Sequence, residues 1–179
     1  MHNKIKGKNI YFKLVEVEDA DFILKLRTNP VLNKHISLVK DDIKLQIEWI
    51  TKYKEREYEN KEYYFIIYEN KTNKKIGTIR VYQIEENSCV WGSFIFLENL
   101  NPLYSIEAVI MNYDFIFFDL KKEIVNFDVR KSNKQVLLFH KKFGASLINE
   151  DELNYYFCLT KNNYQKIRNR FNKILKLDR

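Results

Sequence analysis

The chain has 179 residues, 45% of them hydrophobic and 15% aromatic, with only four Gly and two Pro. That composition can build one real core and is too apolar for disorder. No linker or internal repeat interrupts it, so residues 1–179 are read as a single domain.

The formal net charge is +7, and +6 of it lies in residues 161–179, where Lys161, Lys166, Arg168, Arg170, Lys173, Lys176 and Arg179 are opposed only by Asp178. This basic C-terminal helix is either a solvated face or a lure for an anionic partner. The basic stretch Met1–Lys8 is followed by no apolar run and is not read as a secretory signal. The most apolar window, Ile106–Leu120, contains Glu107, Asn112, Asp114 and Asp119 and is too short and too charged to span a bilayer. Cys89 and Cys158 lie far apart in apolar segments and read as reduced core thiols of a cytoplasmic protein. With three scattered His they cannot form a closed zinc site, so no metal is expected.

In chain order, Ile10–Leu14 predicts a first strand. Glu18–Arg27 predicts a helix that stops before Pro30. Asp41–Tyr58 predicts a longer helix with Ile43, Ile47 and Ile50 on one face. Tyr63–Tyr68, Lys75–Tyr82 and Cys89–Phe96 are β-branched and aromatic runs separated by short polar turns, which predicts an antiparallel meander. After the loop Glu98–Leu103 come a helix over Tyr104–Phe118, a strand over Glu123–Val129 and a helix over Ser132–Phe143. A break at Gly144, strand-like stretches at Ser146–Ile148 and Leu153–Leu159, and the basic helix complete the chain. A meander followed by βαβ-type units predicts an α/β fold with a mixed, mostly antiparallel sheet and helices on both faces.

The run Val129–Ala145 resembles a signature of the GCN5-related N-acetyltransferases. Val129, Asn133, Val136, the Phe139-His140 pair and Lys142-Phe143-Gly144 match it in register. Asp114-Phe115-Ile116-Phe117 resembles the family's sequence at the end of its coenzyme-binding helix, and Asp119-Leu120 its closing residues. Trp91-Gly92 and Leu26-Arg27-Thr28-Asn29-Pro30 resemble the branch that acetylates amino sugars on nucleotide carriers. The resemblance thus reaches most of the chain, thinly in the first half. The family's glycine-rich phosphate loop falls on Leu100–Ser105, where only Ser105 is small. Glycines serve there because backbone N–H groups at a helix N-terminus must approach the pyrophosphate closely.

What the resemblance implies is acetyl-CoA as co-substrate, held by Phe94, Ile95, Phe96, Asn101, Leu103, Tyr104, Ser105, Asn133 and Phe139. His140 occupies the position of the proton donor to the leaving thiolate, and an imidazole titrates near neutrality. Its alternative is a helix-surface residue. Asn133 also reads as a helix N-cap without any catalytic duty, and Phe94, Ile95 and Phe96 as plain core. Glu98 is the candidate general base, with Glu85, Glu86 and His35 as others; each also reads as a solvated surface group. Arg27, Asn29, Trp91 and Ser93, with Arg80, are candidate acceptor contacts, although a single Arg is commonly a surface ion-pair partner.

The acceptor implied is a small primary amine, foremost that of a nucleotide-linked amino sugar used for surface glycans. Alternatives within the class are a protein N-terminus, as for ribosomal-protein acetyltransferases, or an antibiotic amine. The alternative outside it is a non-enzymatic binding module with an anionic partner. No helix-turn-helix, RRM or zinc-finger signature is present, which speaks against nucleic acid as the partner. A homodimer is compatible with this reading.

Overall fold

The computed structural model describes residues 4–175. Eight strands, β1 (Lys4–Lys6), β2 (Ile10–Leu14), β3 (Tyr63–Glu69), β4 (Lys75–Tyr82), β5 (Ser88–Phe96), β6 (Ile124–Arg130), β7 (Ser146–Glu150) and β8 (Asn154–Thr160), form one sheet. Its order is β1-β2-β3-β4-β5-β6-β8-β7. Only β5 and β6 run parallel; the other pairs are antiparallel, so the predicted mixed sheet is present. Five helices accompany it: α1 (Ala20–Thr28), α2 (Ile43–Tyr58), α3 (Pro102–Asp114), α4 (Lys134–Lys142) and α5 (Lys161–Leu175). Lys176, Asp178 and Arg179 lie outside the described residues.

The two faces of the sheet are covered unequally. On one face α3, α4 and α5 pack through Val109, Tyr113, Phe143 and Tyr164 onto Phe12, Phe65, Ile79, Val81, Trp91 and Phe127. On the other, α1 and α2 bring Ala20, Ile23, Ile50 and Tyr53 onto Tyr64 and Ile66. These two helices stand over β2–β4, and α1 also reaches β5. On that face the continuation across β5, β6 and β8 carries the part-exposed Val90, Gly92, Asn126 and Tyr156 and the exposed Asp128. The consequence is a groove floored by the second half of the sheet.

Several expectations need correction. The basic N-terminal stretch contains a short strand, β1, which three residues flanked by polar ones cannot announce. The start of the predicted first helix, Val17–Asp19, is a 3-10 turn, and the helix proper begins at Ala20. In α2 the buried face is Gln46, Ile50 and Tyr53, whereas Ile43 and Ile47 are 41% and 38% exposed. The first turns of α2 therefore carry apolar side chains past the edge of the core. Asp42, not Asp41, caps this helix, accepting from Lys44 N at 2.9 Å.

Two buried carboxylates and one half-buried one lock the layers together. Glu107, fully buried on α3, accepts Lys8 N at 2.5 Å, Asn9 N at 3.0 Å and Asn9 Nδ2 at 2.8 Å, which pins the β1–β2 turn. A Cβ on Gly7 would meet this carboxylate at 2.5 Å, so only glycine lets the turn approach. Glu62 accepts Arg56 Nε at 2.7 Å and Arg80 Nε at 2.6 Å. Asp114, at the end of α3, accepts Tyr164 Oη at 2.8 Å and the Arg168 guanidinium through Nε at 2.6 Å and Nη2 at 2.8 Å.

The Asp114 anchor is thus what fastens the basic helix α5 to the core. Asp114→Ala leaves a bidentate guanidinium without its acceptor and the buried Tyr164 phenol with only Ile110 O, at 3.2 Å. We expect a loss of about 2–3 kcal/mol. Amide exchange should speed up across Lys161–Leu175 while the β3–β5 amides stay protected; uniform acceleration across both would contradict a local anchor.

Candidate active site

The site begins with a defect in β5. Thr78 pairs with Ile95, but Arg80 pairs with Gly92, so β5 holds one residue more than β4 between these pairs. The extra residue is a β-bulge at Ser93, whose φ is +49°. Thr78 Oγ1 donates to Ser93 O at 2.8 Å and fixes it. Strict alternation would set Trp91, Ser93 and Ile95 on one face. The bulge instead brings Trp91, Phe94 and Phe96 together, with ring centres 5.6 Å and 5.2 Å apart.

On its other edge β5 pairs with β6 only at Ser88↔Ile124, Cys89↔Val125 and Val90↔Asn126. Beyond Val90 and Asn126 the parallel strands part. Backbone N–H and C=O groups on the facing edges of Trp91–Phe96 and Phe127–Arg130 then have no ladder partner across the gap, and such groups require other ones. This wedge opens into a cleft of about 740 Å³.

The cleft gathers six of the sequence-predicted site residues: Arg27, Trp91, Ser93, Phe94, Asn133 and His140. Arg80 and His35 line it as well. Asn133 caps α4, accepting Val136 N at 3.4 Å, and Gly144, at φ +75°, ends that helix. His35 sits on the loop joining α1 to α2 and meets Ser132 Oγ through Nδ1 at 3.3 Å, which ties this loop to the start of α4. Arg27 donates through Nη2 to Ser37 Oγ at 3.0 Å and to Ser37 O at 3.2 Å, bracing the same loop.

Other candidates lie elsewhere. Glu98 follows β5 in an exposed loop and does not border the cleft. Glu85 accepts Ser88 Oγ at 3.1 Å in the β4–β5 turn, away from it. Asn29 accepts Val31 N at 2.8 Å and shapes the exit from α1. Ile95 and Phe96 pack in the sheet, and Phe139 lies tilted against Phe143 with ring centres 4.6 Å apart. Asn101, Leu103, Tyr104 and Ser105 form the start of α3.

His140 is 4% exposed, with its ring centre 4.3 Å from that of Phe127 and 5.7 Å from that of Trp91. This burial lowers its pKa to about 3. The near-neutral titration expected from sequence does not survive in this setting: the imidazole is neutral. Its Nδ1, Trp91 Nε1 and Tyr113 Oη are all buried without a well-formed hydrogen bond among the described residues. The inner wall of the wedge is therefore aromatic, with buried polar atoms that lack a well-formed hydrogen bond among the described residues.

The outer wall is cationic and aromatic. Arg80 lies between Trp49 and Tyr82, its guanidinium carbon 4.8 Å and 4.5 Å from the two ring centres. Arg56 stacks on Trp49 at 5.4 Å. Tyr64 Oη is buried there without a well-formed hydrogen bond, and burial raises its pKa. Lys40, Arg130, Asn154 and Asp128 complete the lining. Sequence reasoning missed Trp49, Tyr64, Tyr82, Arg130 and Asp128. Their alternation in α2, β3, β4 and β6 was a visible signal, but the face left open depends on how far α1 and α2 extend over the sheet.

The residues present can be tested against a coenzyme A derivative. The unpaired strand edges of the wedge suit the amides of a pantetheine arm. The start of α3 suits phosphates less well. Pro102 has no N–H, Leu103 N bonds Asn101 Oδ1 at 3.0 Å, and Tyr104 N bonds Asn101 O at 2.9 Å. The fit is thus carried by the pantetheine end, and a phosphate at α3 has to displace the Asn101 cap.

A sheet parted by a bulge, with an aromatic inner wall and a cationic outer one, defines an acyl-transfer site of one fold class. Residues 9–146 match the family described as Acetyltransferase (GNAT) domain. The chain belongs to this family, whose members use acetyl-CoA, and it is an N-acetyltransferase of GNAT type. It is 31% identical over 138 residues to the "Probable N-acetyltransferase YjcK" of Bacillus subtilis (strain 168), covering 72% of this chain and 76% of that one. Among solved structures, FdhC, described as a nucleotide-linked sugar GNAT, superposes with a TM-score of 0.87 at 40% identity, over 96% of this chain and 98% of that one. The ribosomal-protein-S5-alanine acetyltransferase from Vibrio fischeri shares the fold, with a TM-score of 0.76 at 14% identity, over 90% and 98% of the two chains.

Proposed function

We propose that this N-acetyltransferase takes the acetyl group of acetyl-CoA to the amine of a nucleotide-linked amino sugar. One observation carries the reading. The cleft is lined by Arg27, Lys40, Arg80 and Arg130, with Trp49 and Tyr82 packed against the Arg80 guanidinium, and Asp128 is its one carboxylate among the described residues. Guanidinium groups recognise phosphate. The 40% identity to a nucleotide-linked sugar GNAT supports the same acceptor class.

In this reading the pantetheine arm lies in the wedge between Trp91–Phe96 and Phe127–Arg130. A backbone N–H of the bulged segment polarises the thioester carbonyl. Asn133 orients the donor. His140 contributes a neutral N–H on the inner wall and helps keep water from the thioester. The whole chain works as one domain, in the cytoplasm, and Phe94 and Phe96 wall the donor side.

The test is turnover of acetyl-CoA against a panel of nucleotide-linked amino sugars, free amino sugars, peptides with free N-termini and polyamines. The expected result is a kcat/KM for one nucleotide-linked sugar that exceeds that for its free sugar by two orders of magnitude or so, as lost phosphate contacts imply. Equal kcat/KM for the two overturns this acceptor. Preference for peptide N-termini moves the protein to the second group of substrates considered from the sequence.

A further inference from the structure

One line of residues crosses the open face of the sheet. Tyr64 pairs with Arg80, and Arg80 pairs with Gly92. Continuing the β5–β6 register two residues past Val90↔Asn126 sets Asp128 beside Gly92, and Asp128 pairs with Tyr156. Partners in register project to the same face. Tyr64 and Arg80 face α1 and α2, so this is the cleft face. The buried Val125, Phe127 and Val129 alternate with Asn126, Asp128 and Arg130, which agrees.

The middle member of the line has no side chain. A Cβ on Gly92 would already lie 3.4 Å from Tyr82 Oη, so the Tyr82 ring lies against this bare position. The floor therefore carries a cation on β4, a bare strand, and an anion on β6. One strand spacing and the parted β5–β6 gap separate Arg80 from Asp128, more than the two regular spacings of about 10 Å, so the two charges can engage different parts of one acceptor. Arg80 donates to Glu62 through Nε and packs between Trp49 and Tyr82. The Asp128 carboxylate is exposed and forms no hydrogen bond or salt bridge among the described residues. It is also two residues beyond the last β5–β6 pair, at the lip of the gap where the thioester is attacked.

We propose that Asp128 receives the acceptor's ammonium group at the mouth of the wedge and takes up its proton, so that the amine attacks the thioester from the open face. The carbon–nitrogen bond forms and the carbon–sulfur bond breaks. Of the three ammonium protons, one stays on the amide, one ends on the leaving sulfur, and one passes through Asp128 to solvent. Arg80, across Gly92, holds the anionic part of the same acceptor; this second half rests on the acceptor proposed above, and the role of Asp128 does not.

The experiment uses the full chain with Asp128→Asn and Asp128→Ala, and whichever amine of the panel the wild type turns over. Asp128 is exposed, so both variants should fold, which thermal melting checks. The expected loss in kcat/KM for the amine is on the order of 100-fold at neutral pH. It should shrink as pH rises through the amine's own pKa, where the acceptor arrives neutral, and binding of acetyl-CoA should be unchanged. Charged or titratable groups facing Asp128 are Arg80 and Tyr82 on β4, Tyr156 on β8, Arg130 on its own strand, and His35 and Lys40 on the overlying loop. A His35→Gln series in parallel separates the contribution of His35 from that of the amine.

Wild-type kcat/KM across the pH range in both variants overturns the proposal. So does a loss of the same size at every pH with weakened acetyl-CoA binding, which marks structural damage. If the wild type acetylates only amines without an anionic group and the Asp128 variants behave as expected, the nucleotide-linked acceptor falls and the role of Asp128 stands. Turnover of no amine at all overturns both.

Discussion

Glu62→Ala is expected to cost about 3 kcal/mol, the lower end of the range for breaking a buried ion pair, and to lower the melting temperature by roughly 6 to 12 °C. The carboxylate is 3% exposed and is shared by Arg56 and Arg80. The side chain of Arg56 is 36% exposed, so water compensates part of its loss, whereas the Arg80 side chain is only 20% exposed. Removing Glu62 leaves Arg80 held only by Trp49 and Tyr82. The acceptor KM should therefore rise while acetyl-CoA affinity stays put, because the wedge is built from β5 and β6. Glu62→Gln keeps one acceptor oxygen and should lose less than half as much stability. An equal loss in both variants would make shape, not charge, the basis of the clamp.

Acidification should unfold the protein earlier than its carboxylates require. His140 has an ordinary pKa of 6.5 when unfolded, and burial lowers it to about 3 in the fold. Below pH 6.5 the unfolded chain binds a proton that the folded chain refuses. Stability from this group is therefore complete above pH 6.5 and is lost as pH falls toward 3, at about 1.4 kcal/mol per unit. Urea midpoints measured between pH 7 and pH 5, before most carboxylates protonate, should show this slope. His140→Phe, which fills the same space between Trp91 and Phe127 without a proton site, should flatten it. A slope that persists in the variant would assign the effect to other groups.

Much of the fold is legible because its elements announce themselves locally. Tyr63–Tyr68, Lys75–Tyr82 and Cys89–Phe96 are dense in residues that fit a pleated surface, with polar turns between them. Asn133 and Gly144 bracket α4 through a cap and a left-handed exit, both of which depend on single residue types. The register of β5 could not be read. Trp91-Gly92-Ser93-Phe94-Ile95-Phe96 alternates well enough as a plain strand, and only pairing with β4 exposes the extra residue. The apolar face of α2 misleads for the same reason: Ile43 and Ile47 have helical spacing, but the core ends at Gln46.

The site was half legible. His140, Asn133, Phe94, Ser93, Trp91 and Arg27 converge although they come from three separate elements, and the family resemblance placed them. Asp128 was passed over because Ile124–Arg130 reads as a strand with one wet face, and wet faces usually need no explanation. It gains meaning only once α1 and α2 are seen to leave the Asp128 end of β6 exposed, a fact about helix placement far away in the chain. Asp114, by contrast, stood out through resemblance alone. The structure supplies its reason, which is the docking of Tyr164 and Arg168 rather than chemistry.

The bulge at Ser93 also makes the cleft a matter of counting. Deleting one residue from β5 restores even pairing with β4, turns Phe94 to the opposite side and removes the kink that carries β5 away from β6. Thr78, whose hydroxyl holds the bulge, cannot prevent this, since its partner carbonyl would shift. Surface loops such as Asn70–Lys74 can lengthen or shorten while the sheet stays in step. In β5 length itself is the functional property, and an enzyme of this design tolerates many substitutions there more readily than a single frame-preserving deletion.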